Sequence, residues 1–240
     1  MSISAQTIIG ELVASDYRTA AVFKRNGVDF CCNGNTTISD ACQKKKIDEL
    51  ALIEDLVAIT SSTNSDTNVD FQSWPLDLLA DYIEKRHHRY VELKIREITP
   101  FLNKVARVHG ERHPELLEVE SLFRASAIEL SEHMIKEERI VFPFVRQLVT
   151  GAETVSGLRS VQQPIAVMMN EHSAEGERFR RIAEITNDYT PPADACNTYM
   201  VTFKLLQEFE ENLHEHIHLE NNILFPKAIA MEASLVATAF

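Results

Sequence analysis

The sequence predicts an all-α protein, an antiparallel four-helix bundle with a small helical domain in front of it. From Trp74 onward, long stretches carry apolar residues three and four apart, the spacing of one buried helix face. Glycines are few in these stretches. The segment TSSTNSDTN at 60–68 contains no apolar residue, which is typical of a linker. We therefore predict a small domain at 1–60, a linker at 61–70 and the bundle at 71–240.

Composition and charge narrow the choice of partners. The chain has 240 residues and 45% are hydrophobic, which is enough for a large core. Its 36 acidic and 24 basic residues give a net charge of -12, which argues against sequence-independent binding of nucleic acid and against docking on an anionic membrane. The N-terminus lacks the regions of a signal peptide, and no stretch is apolar enough to span a membrane. We therefore predict a cytoplasmic protein that binds neither nucleic acid nor a membrane.

The cysteines fit a reducing compartment. The chain has four, at Cys31, Cys32, Cys42 and Cys196, too few to staple a protein of this size. Two of them are adjacent, and neighbouring Cα atoms lie about 3.8 Å apart, below the roughly 4.4–6.8 Å that disulfides prefer. A bond between Cys31 and Cys32 would therefore be strained.

The small domain is predicted to hold four short helices. Residues 7–25 carry a helical apolar pattern that breaks near Asp16 and ends at Asn26-Gly27, so two helices are expected there. Thr36-Thr37 is a suitable cap for a third helix, and a fourth is expected at about 47–59.

The bundle is predicted to consist of four long helices, separated by breaks near Gly110, Thr150 and Thr190. Short connections between long helices favour antiparallel neighbours. The four expected ranges are 75–109, 115–149, 160–188 and 195–229.

An internal repeat carries the candidate chemistry. The segments EHMIKEERIVFP (132–143) and EHIHLENNILFP (215–226) share the form E-H-x-x-x-E-x-x-I-x-F-P. In each copy a histidine lies four residues before a glutamate, so both side chains share one helix face. The two pairs are His133 with Glu137 and His216 with Glu220.

The repeat extends backward to one more histidine in each half. His88 lies 45 residues before His133, and His172 lies 44 residues before His216. Two related helical hairpins would bring four histidines and two glutamates together, a set that suits two metal ions sharing two bridging carboxylates. A lone histidine, or a lone H-x-x-x-E pair, is more often an ordinary polar contact. Repetition in register favours ligands.

The other histidines are predicted to lie outside this set. His87 is rotated by about 100° from His88 on an α-helix, so we expect it to face solvent. His109 would lie about 31 Å further along the same helix, unless Pro100 bends that helix, and it is left out of the ligand set. Three more are expected to be exposed, namely His113, His214 and His218.

Three glutamates stand directly before a predicted ligand histidine, namely Glu132, Glu171 and Glu215. Each has two open readings. It either accepts a hydrogen bond from the imidazole of a neighbouring helix or belongs to a solvated helix face.

The bundle pattern resembles hemerythrin-like domains. The front segment DYRTAAVFKRNGVDFCCNG (16–34), together with MIKEERIVFP (134–143), TPPADAC (190–196) and LENNILFP (219–226), resembles the iron-sulfur cluster repair di-iron proteins. The resemblance covers nearly the whole chain. It implies a hemerythrin-like bundle with two non-haem iron ions, oxo- or hydroxo-bridged, and a functional thiol pair at Cys31 and Cys32. The implied iron ligands are His88, His133, Glu137, His172, His216 and Glu220.

Two positions depart from the pattern of related proteins. The family motif is usually Cys-Cys-Gly-Gly, and here Asn33 takes the first glycine position. We expect the turn to survive because asparagine tolerates a left-handed backbone. Oxygen-carrying hemerythrins have a histidine one turn after the third-helix ligand, where this chain has Gly176. That loss argues against reversible oxygen carriage and favours a reactive or releasable centre.

The paired cysteines have two readings. Adjacent buried cysteines can be inert small hydrophobes. Alternatively, the backbone N–H groups of the following turn and capped helix lower a thiol pKa and make the pair reactive, which is the reading the resemblance favours. Cys42 and Cys196 are predicted to be structural.

Three functions follow from these features. The first is repair of iron-sulfur cluster proteins damaged by oxidative or nitrosative stress, through iron donation by a repair protein rather than a turnover enzyme. The second is binding or reduction of nitric oxide at the di-iron site, and the third is sensing of oxygen or iron. The thiol pair favours the first, since a pure oxygen carrier has no use for it. The sequence is also compatible with a homodimer.

Overall fold

The computed structural model describes residues 3–62, 69–151 and 160–238. In these ranges the regular structure is helical, apart from an isolated antiparallel bridge between Ile8 and Thr37. The all-α prediction is confirmed. Most of the predicted linker lies outside the described residues. None of the helices in the described ranges combines the length and the apolar character that crossing a membrane requires.

The chain forms two compact units. The first consists of Met1–Leu79 together with Ile217–Phe240, and the second is Ala80–His216. The domain boundaries predicted from the sequence did not anticipate that the end of the chain groups with its beginning. Those boundaries stay a prediction.

Four short helices form the N-terminal part of the first unit. The predicted break at Asp16 and the predicted stop at Gly27, where φ is 65°, are both present. Thr37 caps the third helix by accepting a hydrogen bond from the N–H of Asp40, as predicted. The helices are α1 (Ile9–Ser15), α2 (Thr19–Arg25), α3 (Ile38–Lys45) and α4 (Glu49–Ser61).

The long helices agree with the predicted ranges to within a few residues, except that the last one extends to Thr238. They are α5 (Leu76–Tyr82), α6 (Arg89–His109), α7 (Glu115–Lys136), α8 (Phe142–Thr150), α9 (Gln162–Ile185), α10 (Asn197–Leu219) and α11 (Phe225–Thr238). In the second unit, the ring of Phe209 stacks on Phe179 at 5.4 Å and meets the edge of Phe123 at 5.5 Å. This aromatic cluster joins α7, α9 and α10 by burying large apolar surfaces.

Three π-helical segments connect successive long helices, Ile83–His88, Glu137–Val141 and Glu220–Leu224. In the second segment, the N–H of Phe142 donates to the carbonyl of Glu137, five residues back. Pro143 follows, and a proline has no N–H and crowds the carbonyl four residues earlier, which the wider turn accommodates. The third segment repeats this bond between Phe225 and Glu220, again ahead of a proline. The two repeated segments therefore share the same π-helical backbone conformation as well as the same sequence pattern.

Candidate metal centre

Five of the six predicted ligands meet in the core of the second unit. They lie on the first π-helical segment, on α7 and the π-helical segment after it, on α9 and on α10. All five are at least 97% buried, which is rare for ionisable side chains without a strong partner. They are His88, His133, Glu137, His172 and His216.

The Glu137 carboxylate lies between two pairs of imidazoles. Its Oε2 is 3.3 Å from His88 Nε2, and its Oε1 is 3.2 Å from His133 Nε2 and 3.9 Å from His172 Nε2. Two groups of ligand atoms result, His88–Glu137–His216 and His133–Glu137–His172, and within each group the atoms lie within 4.8 Å of one another. Each carboxylate oxygen thus faces a different pair of histidines.

The carboxylate is fully buried, and neither of its oxygens has a hydrogen-bond partner among the described residues. Burial raises the pKa of Glu137, but the nearby His133 and His88 outweigh burial and hold the pKa well below its usual value. A buried anion without hydrogen bonds is costly unless a cation compensates it. These donors therefore fit bound metal ions.

Glu220, the sixth predicted ligand, belongs to the first unit. It is fully buried and begins the third π-helical segment, as Glu137 begins the second. It follows His216 by four residues in the sequence. Its role as a ligand stays a prediction.

Two glutamates contact the outer nitrogens of two of the predicted ligand histidines. His88 Nδ1 lies 2.9 Å from Glu138 Oε1, and His133 Nδ1 lies 2.8 Å from Glu171 Oε2. Such contacts fix the proton on Nδ1 and leave Nε2 to face the metal position. Glu171 therefore follows the first of its two sequence readings. Glu138 was missed, although it stands directly after a predicted ligand.

We expect Glu138→Ala to weaken metal binding by about 10- to 100-fold, the usual effect of losing such a partner. Affinity is measured by competition with a chelator. The matched control is Glu132→Ala, which removes an exposed carboxylate from the same stretch of chain. Equal affinities for the two variants would show that the contact between Glu138 and His88 does not support the site.

His87 is buried, and its predicted exposure was wrong. Its Nδ1 lies 3.3 Å from Asn212 Oδ1, and its ring stacks on that of His216 at 5.6 Å. The prediction assumed α-helical rotation between His87 and His88. Both lie in a π-helical segment, whose wider turn brings both rings inward.

Three further histidines also differ from expectation. His218 was predicted to be exposed, yet it is 99% buried within the first unit against Tyr17 and Phe30, and burial lowers its pKa to about 3. His113 and His214 are half-buried rather than exposed. His109 contacts Cys196, with 3.3 Å between Nε2 and Sγ, and belongs to neither group of ligand atoms.

A cavity of about 260 Å³ lies beside one of the two groups in the second unit. His133 and His172 line it, together with the buried carboxyl group of Glu175. Burial raises the pKa of Glu175, and the Ser126 hydroxyl and Arg178 guanidinium that donate to its carboxylate partly offset this rise. The cavity is large enough for small molecules to approach these two histidines.

The paired cysteines lie in the first unit, in the turn before α3. Both are reduced, with 3.7 Å between their sulfur atoms. The predicted lowering of a thiol pKa was wrong for Cys31, because its contact with the Cys32 thiol, burial and the charge of Asp29 raise the pKa well above its usual value. The explanation given for Asn33 was also wrong. Its φ is not positive, and its side chain instead donates to Asp29 Oδ2 at 2.7 Å.

A helical bundle that gathers four buried imidazoles around a shared carboxylate defines a class, the cation-binding bundles of hemerythrin type. Residues 79–228 match the family described as Hemerythrin HHE cation binding domain, and residues 5–60 match a domain of unknown function named ScdA_N. The chain belongs to the family of iron-sulfur cluster repair proteins that includes ScdA and YtfE.

Three relatives illustrate the similarity. Iron-sulfur cluster repair protein ScdA of Staphylococcus haemolyticus is 32% identical over 94% of this chain and 99% of its own. The proteins named iron-sulfur cluster repair protein YtfE from Musicola paradisiaca and Yersinia pestis are 34% and 35% identical, over 94% and 93% of this chain and 97% of theirs. The similarity therefore includes both the cysteine turn and the bundle.

Proposed function

We propose that this protein repairs damaged iron-sulfur clusters and that it carries a di-iron centre in its bundle. The observation that carries the proposal is the buried Glu137 carboxylate, with one oxygen toward each pair of imidazoles. The printed names of the relatives support the choice of clusters as the target. The paired cysteines support it as well, because thiols are ligands of iron in clusters.

The proposed ligands divide into two sets. His88 and His216 would hold one ion, and His133 and His172 would hold the other. Glu137, whose two oxygens face different pairs of histidines, would be a ligand of both ions, and Glu220 is proposed as a second shared ligand because it has the same place in the repeat. Imidazole and carboxylate donors with open positions suit non-haem iron.

Protein groups around the proposed centre orient its ligands and shield them from solvent. Glu138 and Glu171 hold two of the imidazoles in orientation, and burial excludes competing bulk solvent. With iron bound, the centre supplies the metal that a damaged cluster has lost. The free thiols are consistent with a reducing compartment, and we propose the cytoplasm.

Metal analysis and a repair assay test the proposal together. We expect about two iron ions per chain, because two groups of donors share one carboxylate. The iron-loaded protein should restore a [4Fe–4S] enzyme inactivated by peroxide or nitric oxide, followed by that enzyme's activity. Iron-free protein is the control. One tightly bound zinc ion per chain without capacity for iron would contradict the site, and iron loading without restoration would contradict the function.

The cavity beside His133 and His172 favours a second candidate, the binding or reduction of nitric oxide. Small diatomic molecules reach a metal through such an opening more easily than a protein client does. Consumption of nitric oxide by the iron-loaded protein, with no restoration of a damaged enzyme, would favour this candidate over repair.

A further inference from the structure

The turn before α3 brings three metal-binding side chains together within the first unit. Cys31 Sγ lies 3.7 Å from Cys32 Sγ and 3.5 Å from Asp29 Oδ1. Potential ligand atoms of all three residues lie within 4.8 Å of one another. This group shares no residue with the ligands proposed in the bundle.

These separations match one tetrahedral ion. Metal–sulfur bonds of about 2.3 Å at a tetrahedral angle place two sulfur atoms about 3.8 Å apart. A metal–oxygen bond of about 2.0 Å places an oxygen about 3.5 Å from each sulfur. The observed distances of 3.7 Å between the sulfur atoms and 3.5 Å from Cys31 Sγ to the Asp29 oxygen agree with both values.

The carboxylate is oriented by two hydrogen bonds. The N–H of Cys32 donates to Asp29 Oδ1 at 2.9 Å, and Asn33 Nδ2 donates to Asp29 Oδ2 at 2.7 Å. These bonds hold Oδ1 beside the sulfur of Cys31. A glycine at position 33 has no side chain to make the second bond, so the asparagine gives this chain an additional support for Asp29.

Two asparagine side chains hold the backbone of the turn by hydrogen bonds. The side-chain amide of Asn221 donates to the carbonyl of Cys31 at 3.2 Å, and that of Asn222 donates to the carbonyl of Phe30, also at 3.2 Å. At Gly34 a Cβ would lie 2.6 Å from the backbone carbonyl oxygen of Phe30, which cannot move aside as a side chain can, so only glycine fits at this position. The turn is thus held in position by residues of the first unit, to which it also belongs.

The three side chains of this group differ in their exposure to solvent. Cys31 is buried, whereas Cys32 and Asp29 are each partly exposed. Three protein ligands leave one coordination position open, so that a fourth ligand from solvent or from a client can reach the ion, unlike in a closed structural site.

We propose that Asp29, Cys31 and Cys32 form a second metal site, which binds one thiophilic divalent cation, such as ferrous iron, in exchangeable form. This inference rests on the proposed function, because the site would bind iron temporarily during its transfer to a damaged cluster. Binding forms two metal–sulfur bonds and one metal–oxygen bond and releases the two thiol protons to water. No electron is transferred.

Cobalt(II) titration of the full-length protein tests this site, after the bundle has been filled with iron and desalting has removed exchangeable iron. Thiolate-to-cobalt charge transfer reports sulfur ligation, and the proposed bundle ligands contain no sulfur. We expect one equivalent of cobalt with this absorption. Cys31→Ser and Cys32→Ser should each lose it, and Asp29→Asn, which keeps an oxygen to accept from the N–H of Cys32, should weaken binding at least tenfold. Cys42→Ser, at a buried cysteine in the same unit, is the matched control.

Three results would overturn the site, namely no charge-transfer absorption, absorption that survives the loss of both cysteines, or unchanged affinity in Asp29→Asn. Far-ultraviolet circular dichroism identifies a variant that is unfolded. If the cysteine variants are unfolded, the cobalt affinity of Asp29→Asn tests the site instead. Cobalt binding does not depend on repair. A cobalt site in a protein that fails the repair assay would contradict the proposed function alone, and repair without a cobalt site would contradict this inference alone.

Discussion

Glu137→Gln should lose both metal ions, whereas His88→Ala should lose one preferentially. The reason is that Glu137 belongs to both groups of ligand atoms and His88 to one. Glutamine keeps the size of the side chain but cannot bridge two cations as an anion. Iron per chain, measured by elemental analysis after loading and desalting, should fall from about two to near zero in Glu137→Gln.

The same substitution should remove the stabilisation that metal confers. A ligand present at about 100 times its dissociation constant adds about 2.7 kcal/mol to the free energy of unfolding. For a chain of this length that corresponds to a rise of about 5–10 °C in Tm. We expect this rise on adding iron to the unaltered protein and to the exposed-site control Glu132→Gln, and no rise in Glu137→Gln. Two iron ions retained by Glu137→Gln would contradict the bridging role.

The double variant Cys31→Ser with Cys32→Ser should keep the iron of its bundle and lose repair activity. Neither thiol belongs to the groups of donors around Glu137, so the iron retained after desalting, which removes exchangeable iron, should not change. Repair should fall to the level of added free iron, because the proposed route to the client passes through these thiols. The measurements are iron per chain and the recovered activity of a damaged cluster enzyme.

The matched control removes the other two thiols, as Cys42→Ser with Cys196→Ser. It lowers the number of cysteines equally and leaves the turn at Asp29 intact. Full repair by the Cys31–Cys32 double variant would mean that the bundle transfers iron unaided. Deletion of the small domain is a less selective test, since it also uncovers His218 and Asn222, which contact residues of that domain.

Much of the bundle could be predicted from the sequence, because helix length and the spacing of repeated histidines are local properties. The correspondence of His88 with His172, and of the two H-x-x-x-E pairs, indicated which side chains share a face. Five of those six residues do meet in one core. The repeat was informative because chance rarely places the same donor types twice in register.

Other features depended on information that a helical pattern does not contain. A uniform rotation of about 100° per residue excluded His87 from the core, and a π-helical turn invalidates that assumption. The burial of His218 depends on Tyr17 and Phe30, which are distant in sequence. The pKa of Cys31 depends on the direction of its sulfur toward Cys32 and Asp29, which the spacing of residues does not fix.

The two repeated segments have acquired different tasks at matching positions. Directly after the repeated glutamate, the first segment has Glu138, which contacts the proposed ligand His88, and the second has Asn221, which donates to the carbonyl of Cys31. An ancestral duplication would explain this pattern, with one copy keeping the support of the metal and the other recruited to anchor the thiol turn. Such specialisation makes the two halves non-interchangeable, even though their proposed ligands still correspond one to one.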